Sequence, residues 1–188
     1  MKSKSKQSQL NLGKYTQNGA PIVWTYIENA ANDNSVYLAL EGVTVYPFRC
    51  LSKERDDNIS RYCYYQDSDL RDWLNSDFLK QYFTPEERMR IKEIRIPSID
   101  EINKWLPKCV DRVCFPSMEA QNNGAEVFHS YDDKSACVYW LADSGRKAGM
   151  SATVVMANGQ IYNSAYLSAA NVCVRPVIEL WGEKEAWD

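Results

Sequence analysis

Strand-forming segments stand at both ends of the sequence and bracket a middle rich in helix signals, an order that few folds accommodate. Ile22-Val-Trp-Thr-Tyr-Ile27 and Val36-Tyr-Leu-Ala-Leu40 are β-branched and aromatic, and Val43-Thr-Val-Tyr-Pro-Phe48 extends the pattern. Strand composition returns in Ala136-Cys-Val-Tyr-Trp-Leu141, Thr153-Val-Val-Met156 and Val172-Cys-Val-Arg-Pro-Val-Ile178. Between them, Leu70, Trp73, Leu74 and Phe78 recur at helical spacing behind Ser68 and Asp69, which can cap free N–H groups. Thr84-Pro-Glu-Glu87 and Ser98-Ile-Asp-Glu101 each set a hydroxyl three residues before a glutamate, the pattern of a capping box, so helices start at both places. The second of these ends before Pro107. Strands, then helices, then strands predict an α+β fold in which the two chain ends meet in one sheet. Asn18-Gly19 and Asn158-Gly159 are turn signals, the latter the strongest hairpin signal in the chain. Residues 107–135 carry turn formers with little periodicity and read as a long excursion of loops.

A chain of 188 residues suits one domain. We expect a flexible N-terminal tail over residues 1–11, a domain over 12–180 and a C-terminal tail over 181–188. The 22 Lys and Arg nearly balance 25 Asp and Glu, leaving a net charge of -3 and no basic field for a phosphate backbone, so a nucleic-acid partner is not expected. No apolar run approaches the roughly 18–20 residues of a membrane span, so membrane insertion is not expected either. Met1 to Gln9 is basic and polar with no apolar stretch behind it, unlike a signal peptide, which predicts synthesis in the cytoplasm. The six cysteines (Cys50, Cys63, Cys109, Cys114, Cys137, Cys173) are accordingly read as mostly reduced. Cys109 and Cys114 could pair, although packed or idle thiols are the favoured reading. With no CxxC and a single histidine, His129, a zinc site is not expected.

Signatures of chemistry are sparse. His129 has no nucleophile elbow beside it and is read as a surface or loop histidine that hydrogen-bonds rather than a catalytic base. Dinucleotide, P-loop and HExxH motifs are missing, and no cofactor or metal is expected. The acidic groups at Asp56-Asp57, Asp67/Asp69 and Asp132-Asp133 lack EF-hand spacing and read as solvated loops or helix caps. Attention falls on residues 144–171. Tyr162-Asn-Ser-Ala-Tyr-Leu-Ser-Ala-Ala-Asn171 has the vocabulary of a paratope, with Tyr supplying contact area and Ser and Asn supplying adaptable hydrogen bonds. On residue types alone, a paratope and an ordinary polar loop both remain open.

Several stretches then line up with a known family. Gly13-Lys-Tyr15 with Ile22-Val-Trp24, Ser68-Asp-Leu-Arg-Asp-Trp-Leu-Asn75 with Phe78-Leu79, Phe83-Thr-Pro-Glu-Glu87, Tyr139-Trp-Leu141, Asn158-Gly159 and Val174-Arg-Pro-Val177 occur in the expected order. Together they resemble a C-type-lectin-like domain family of unknown function from gut bacteria and their phages. That family is related to formylglycine-generating-type domains and to variable target proteins of diversity-generating retroelements. The resemblance spans about residues 12–180. It implies a C-type-lectin-like fold with small antiparallel sheets, paired terminal strands and two to three helices.

The resemblance also implies a non-enzymatic module whose C-terminal loops recognise a protein or glycan on a cell surface, with homo-oligomerisation adding avidity, and with the virion as a destination if a phage encodes it. Adenine-directed variation of Asn codons yields Tyr, Ser, Ala and Leu but not Trp, Met, Lys, Gln or Glu, and every residue from Tyr162 to Asn171 lies in the reachable set. Carried onto this sequence, the candidate ligand contacts are Tyr162, Asn163, Ser164, Tyr166, Ser168 and Asn171, with Arg146, Lys147 and Ser151 on the preceding loop. Trp73, Leu74, Trp140 and Leu141 are expected in the core, and Arg175 in a buried ion pair or on backbone carbonyls. The sequence departs from the family pattern at Ala142-Asp143, where an Arg is often found. A formylglycine-generating-like cysteine oxidase would have only Cys137 and Cys173 to work with, and a structural role in virion decoration is the other alternative.

Overall fold

The computed structural model describes residues 9–30, 33–50, 63–129 and 135–182. The first sheet takes β1 (Gln9–Lys14), β2 (Pro21–Asn29), β3 (Ser35–Ala39), β5 (Ile91–Arg95) and β12 (Val177–Leu180), and β4 (Thr44–Val45) belongs to the second. The helical middle begins with α1 (Asp69–Trp73), continues through a π-helical stretch (Leu74–Phe78) into α2 (Leu79–Tyr82), and is followed by α3 (Pro85–Arg90). After β5 come α4 (Ile99–Trp105), α5 (Cys109–Arg112) and α6 (Met118–Asn122). The C-terminal part adds β6 (Val127–His129), β7 (Ser135–Cys137), β8 (Tyr139–Ser144), β9 (Ala152–Val155), β10 (Ile161–Ala165) and β11 (Cys173–Val174).

The result is mixed α+β, mostly sheet, with short helices. One five-stranded antiparallel sheet has the order β1-β2-β3-β12-β5, and a second has the order β10-β9-β8-β11-β4 with β11 parallel to β8. The chain ends do meet in one sheet, but the first and last strands are not paired as expected. β12 runs between β3 and β5, and β2 and β3 separate it from β1. The described helices also exceed the expected two to three, because the stretch read as loops holds α5, α6 and β6. β1 begins at Gln9, inside the expected N-terminal tail. Residues 1–8 and 183–188 of the expected tails, the acidic pairs Asp56-Asp57 and Asp132-Asp133, and Tyr131 lie outside the described residues.

Local chemistry explains the helices. Both capping boxes form: Thr84 and Ser98 accept from the backbone N–H of Glu87 and Glu101, whose carboxylates accept from the capping residues in return. Asp143 takes the N–H of Ile99 at 2.6 Å and so caps the start of α4 from across the fold. The face of α1 through α2 buries Leu70, Leu74 and Phe78 against Trp24 and Trp140, while Trp73 stacks half-buried on Tyr46 with ring centroids 4.4 Å apart. The indole N–H groups of Trp24 and Trp140 donate to the carbonyls of Leu12 and Tyr46, both at 2.8 Å, so these buried polar edges are satisfied.

Two polar residues hold distant parts together. Glu119 of α6 is buried and accepts from Thr16 Oγ1, Gln17 N–H and Tyr82 Oη, tying the β1–β2 turn to the helical layer. Asn34, also buried, donates to Glu179 at 2.9 Å and accepts from the N–H of Gly182 at 2.9 Å. Among the described residues no helix is long and apolar enough to cross a membrane.

Candidate functional site

The candidate site grows from the edge of the second sheet. β10 pairs antiparallel with β9, with an irregularity between Tyr162 and Ala165, and is the last strand in its sheet. The loop joining β8 to β9 folds onto it. Gly145 donates its N–H to Ser151 O at 2.7 Å, and the N–H of Arg146 donates to the carbonyl of Asn163. The two chain segments approach so closely at Gly145 that a Cβ would overlap Ser151 Oγ and the Asn163 carbonyl oxygen. Sequence-predicted residues from two separate stretches are thus brought together by backbone contacts.

Their side chains divide into two groups. Arg146, Lys147, Tyr162, Asn163, Tyr166 and Ser168 are exposed, Tyr166 to 82% and Tyr162 to 50%. Ser151 and Ser164 are half-buried, and Ser151 Oγ is occupied within its own loop, accepting from Lys147 N–H at 3.2 Å and donating to Lys147 O at 3.3 Å. Asn171 is exposed but acts as a fastener. Its amide donates to Glu126 at 2.8 Å, and its carbonyl accepts the Glu126 N–H at 3.1 Å, which fixes the start of β6.

β6 and the β9–β10 hairpin enclose a cleft of about 600 Å³. Phe128 and His129 form one wall, and Met156, Asn158, Ile161 and Tyr162 belong to the other. Tyr162 is the sequence-predicted residue that reaches it. Phe128, Met156 and Ile161 were not among the expected contacts, although the β-branched and aromatic pair Val127-Phe128 carries a weak strand signal. The imidazole of His129, expected to hydrogen-bond, is exposed and has no such partner among the described residues.

The opposite flank of the face carries a disulfide. Cys50 and Cys63 are bonded, with Cα atoms 5.7 Å apart, so the reading of the cysteines as mostly reduced is corrected for this pair. Arg49 N–H donates to Leu167 O at 3.0 Å, and Cys63 N–H donates to Gly149 O at 2.6 Å, so both sides of the bridge are attached to the face. Cys109 is free and exposed while Cys114 is free and buried, and the two are not paired.

A model of the domain of unknown function DUF6273 matches residues 34–181. The chain belongs to the DUF6273 family. The match takes in β3 to β12 and leaves β1 and β2 outside. It starts at Asn34, the residue that holds Glu179 and Gly182, so the ends of the DUF6273 domain are pinned to each other. No curated protein and no solved structure matches the chain.

Inside the DUF6273 domain lies a second cluster, of thiols. Cys114, Cys137 and Cys173 are all buried. A Cβ on Gly42 would lie 3.1 Å from Sγ of both Cys137 and Cys173, so a glycine is needed where that backbone crosses the thiols. Burial and a hydrogen bond with Cys137 push the Cys114 thiol up. At Cys137 the hydrogen bond with Cys114 pulls downward, but the bond with Cys173 and burial outweigh it and the net direction is up. Arg175 lies beside them, donating through Nε to Ala39 O at 3.0 Å and packing its guanidinium 5.3 Å from the Tyr139 ring centroid. It takes the expected carbonyl contact, with no carboxylate partner among the described residues. No group of His, Cys, Asp or Glu among the described residues is disposed to hold a metal ion.

Proposed function

We propose that this chain is a non-enzymatic ligand-binding module of C-type-lectin-like type, whose loop 145–151 and segment 162–171 display a variable recognition surface for a protein or glycan. One observation carries this reading. The backbone of the two segments is joined at Gly145, Arg146 and Asn163, while the side chains of Arg146, Lys147, Tyr162, Asn163, Tyr166 and Ser168 point outward. Such a frame lets side chains change without disturbing the core, the property a diversified binding surface requires. The Tyr-rich composition supplies large contact area at low conformational cost.

The oxidase alternative draws on the proximity of Cys137 and Cys173, but both thiols are fully buried, away from any substrate. The test is population sequencing of the locus. Substitutions concentrated in codons 146–171, at adenines of a nearby template copy, are the expected result. An invariant segment with no template copy overturns diversification and makes a fixed-ligand or virion-assembly role the better account.

A further inference from the structure

We propose that the cleft between β6 and the β9–β10 hairpin is the anchor pocket of this surface and takes an uncharged aromatic side chain of a protein partner. The inference rests on the recognition-surface reading above and names the ligand chemistry. At about 600 Å³ the cleft falls in the range of small-molecule and side-chain pockets. A quarter of the chain is charged, yet among the described residues no Lys, Arg, Asp or Glu lines the cleft. A charged group entering it would leave water without a compensating partner in this lining, which favours neutral groups.

Its rings are unspent. Phe128 is 38% and Tyr162 50% exposed, and Met156 and Ile161 supply a soft apolar wall beside them. The polar side chains of the described lining are His129, Asn158, Gln160 and Tyr162, and part of them is committed. Asn158 donates to Gln160 Oε1 at 3.2 Å and accepts the Gln160 N–H at 3.0 Å, so its amide sets the turn. A sugar needs several convergent donors and acceptors, and here the Asn158 amide is already spent on the turn. An aromatic side chain needs ring faces and one or two hydrogen bonds for its flanking peptide groups, which Tyr162 and Gln160 can supply.

Both walls are fixed before a ligand arrives. The hairpin tip packs its buried Gly159, at φ 80°, against the carbonyl of Cys109, and the other wall is fastened through Glu126 and Asn171. Little ordering entropy is then lost on binding.

The chain has one histidine, and it lines the cleft, so the His129 imidazole C–H resonance in a proton–carbon NMR spectrum reports occupancy without ambiguity. N-acetyl-tryptophanamide and N-acetyl-tyrosinamide should shift it saturably at millimolar concentration, whereas N-acetyl-leucinamide and maltose should not. Tyr162→Ala and Phe128→Ala should each weaken the aromatic probes by about fivefold or more, with Tm held within about 2 °C because both side chains are partly in water. No shift with the aromatic amides, or an equal shift with leucinamide or maltose, overturns the proposal. Codon variation over 146–171 is read separately, so a failed pocket with a varying locus leaves the recognition surface standing with its anchor elsewhere.

Discussion

At position 145 the absence of a side chain decides whether the surface assembles. A methyl group there would occupy the space of Ser151 Oγ and of the Asn163 and Ala152 carbonyl oxygens, and backbone atoms give way poorly. Gly145→Ala should therefore cost about 1–3 kcal/mol, whereas Tyr166→Ala, at a side chain 82% in water, should stay within about 0.5 kcal/mol. Urea denaturation of the two variants side by side checks the contrast. Equal effects would mean that Gly145 is not the joint between loop and strand. The same logic places Gly42, whose missing side chain admits the Cys137 and Cys173 thiols.

At the scale of elements, β12 is the strand on which the closure of the first sheet depends, and its register is held by Glu179. The carboxylate accepts from Lys92 at 2.9 Å and from Asn34 at 2.9 Å. Burial alone would raise its pKa, but Lys92 and Asn34 outweigh it and hold the group below the usual carboxylate value of 4.5. A carboxyl whose folded pKa is depressed contributes stability above its unfolded pKa and loses that contribution as pH falls through the folded one. Glu179→Gln should therefore be less stable than the natural chain at pH 7, with the gap closing as pH falls below about 4.5. Denaturation curves from pH 7 to pH 3 measure it, and a gap that does not change with pH would assign the effect to packing.

What was legible in the sequence at this scale was what is local. Thr84 with Glu87 and Ser98 with Glu101 need only four residues to define a helix start, and both form. β5 was missed because Ile91 and Ile94, three apart, fit a helix as well as a strand, and the strand state comes from pairing with β12. β6 was hidden among turn formers for the same reason, since it is defined by β7. Of the cleft, Tyr162 was legible as an exposed aromatic, whereas Phe128 and Met156 join it only through tertiary placement.

Across the whole molecule, the first sheet closes the chain ends and the second carries the exposed segment 161–165 on its outer strand, while the cysteines fall into bonded, buried and exposed groups. The cysteines reveal how completely that arrangement is formed. Among six, one pair is bonded, three are buried beneath Gly42 and beside Arg175, and Cys109 alone is exposed and free. A thiol reagent should find one reactive group in the native protein, four after denaturation without reductant, and six after denaturation with it. Two or more fast thiols in the native protein would place part of the Cys114, Cys137 and Cys173 cluster within reach of substrates and restore the oxidase alternative. The bridge itself, with a sequence separation of 13, should contribute about 3 kcal/mol. Because Cys63 and Arg49 hold Gly149 and Leu167, its reduction should loosen the segments around these two residues before the first sheet. Hydrogen exchange with and without reductant tests this order, with faster exchange expected at residues 145–151 and 166–169 while β3 and β12 stay protected.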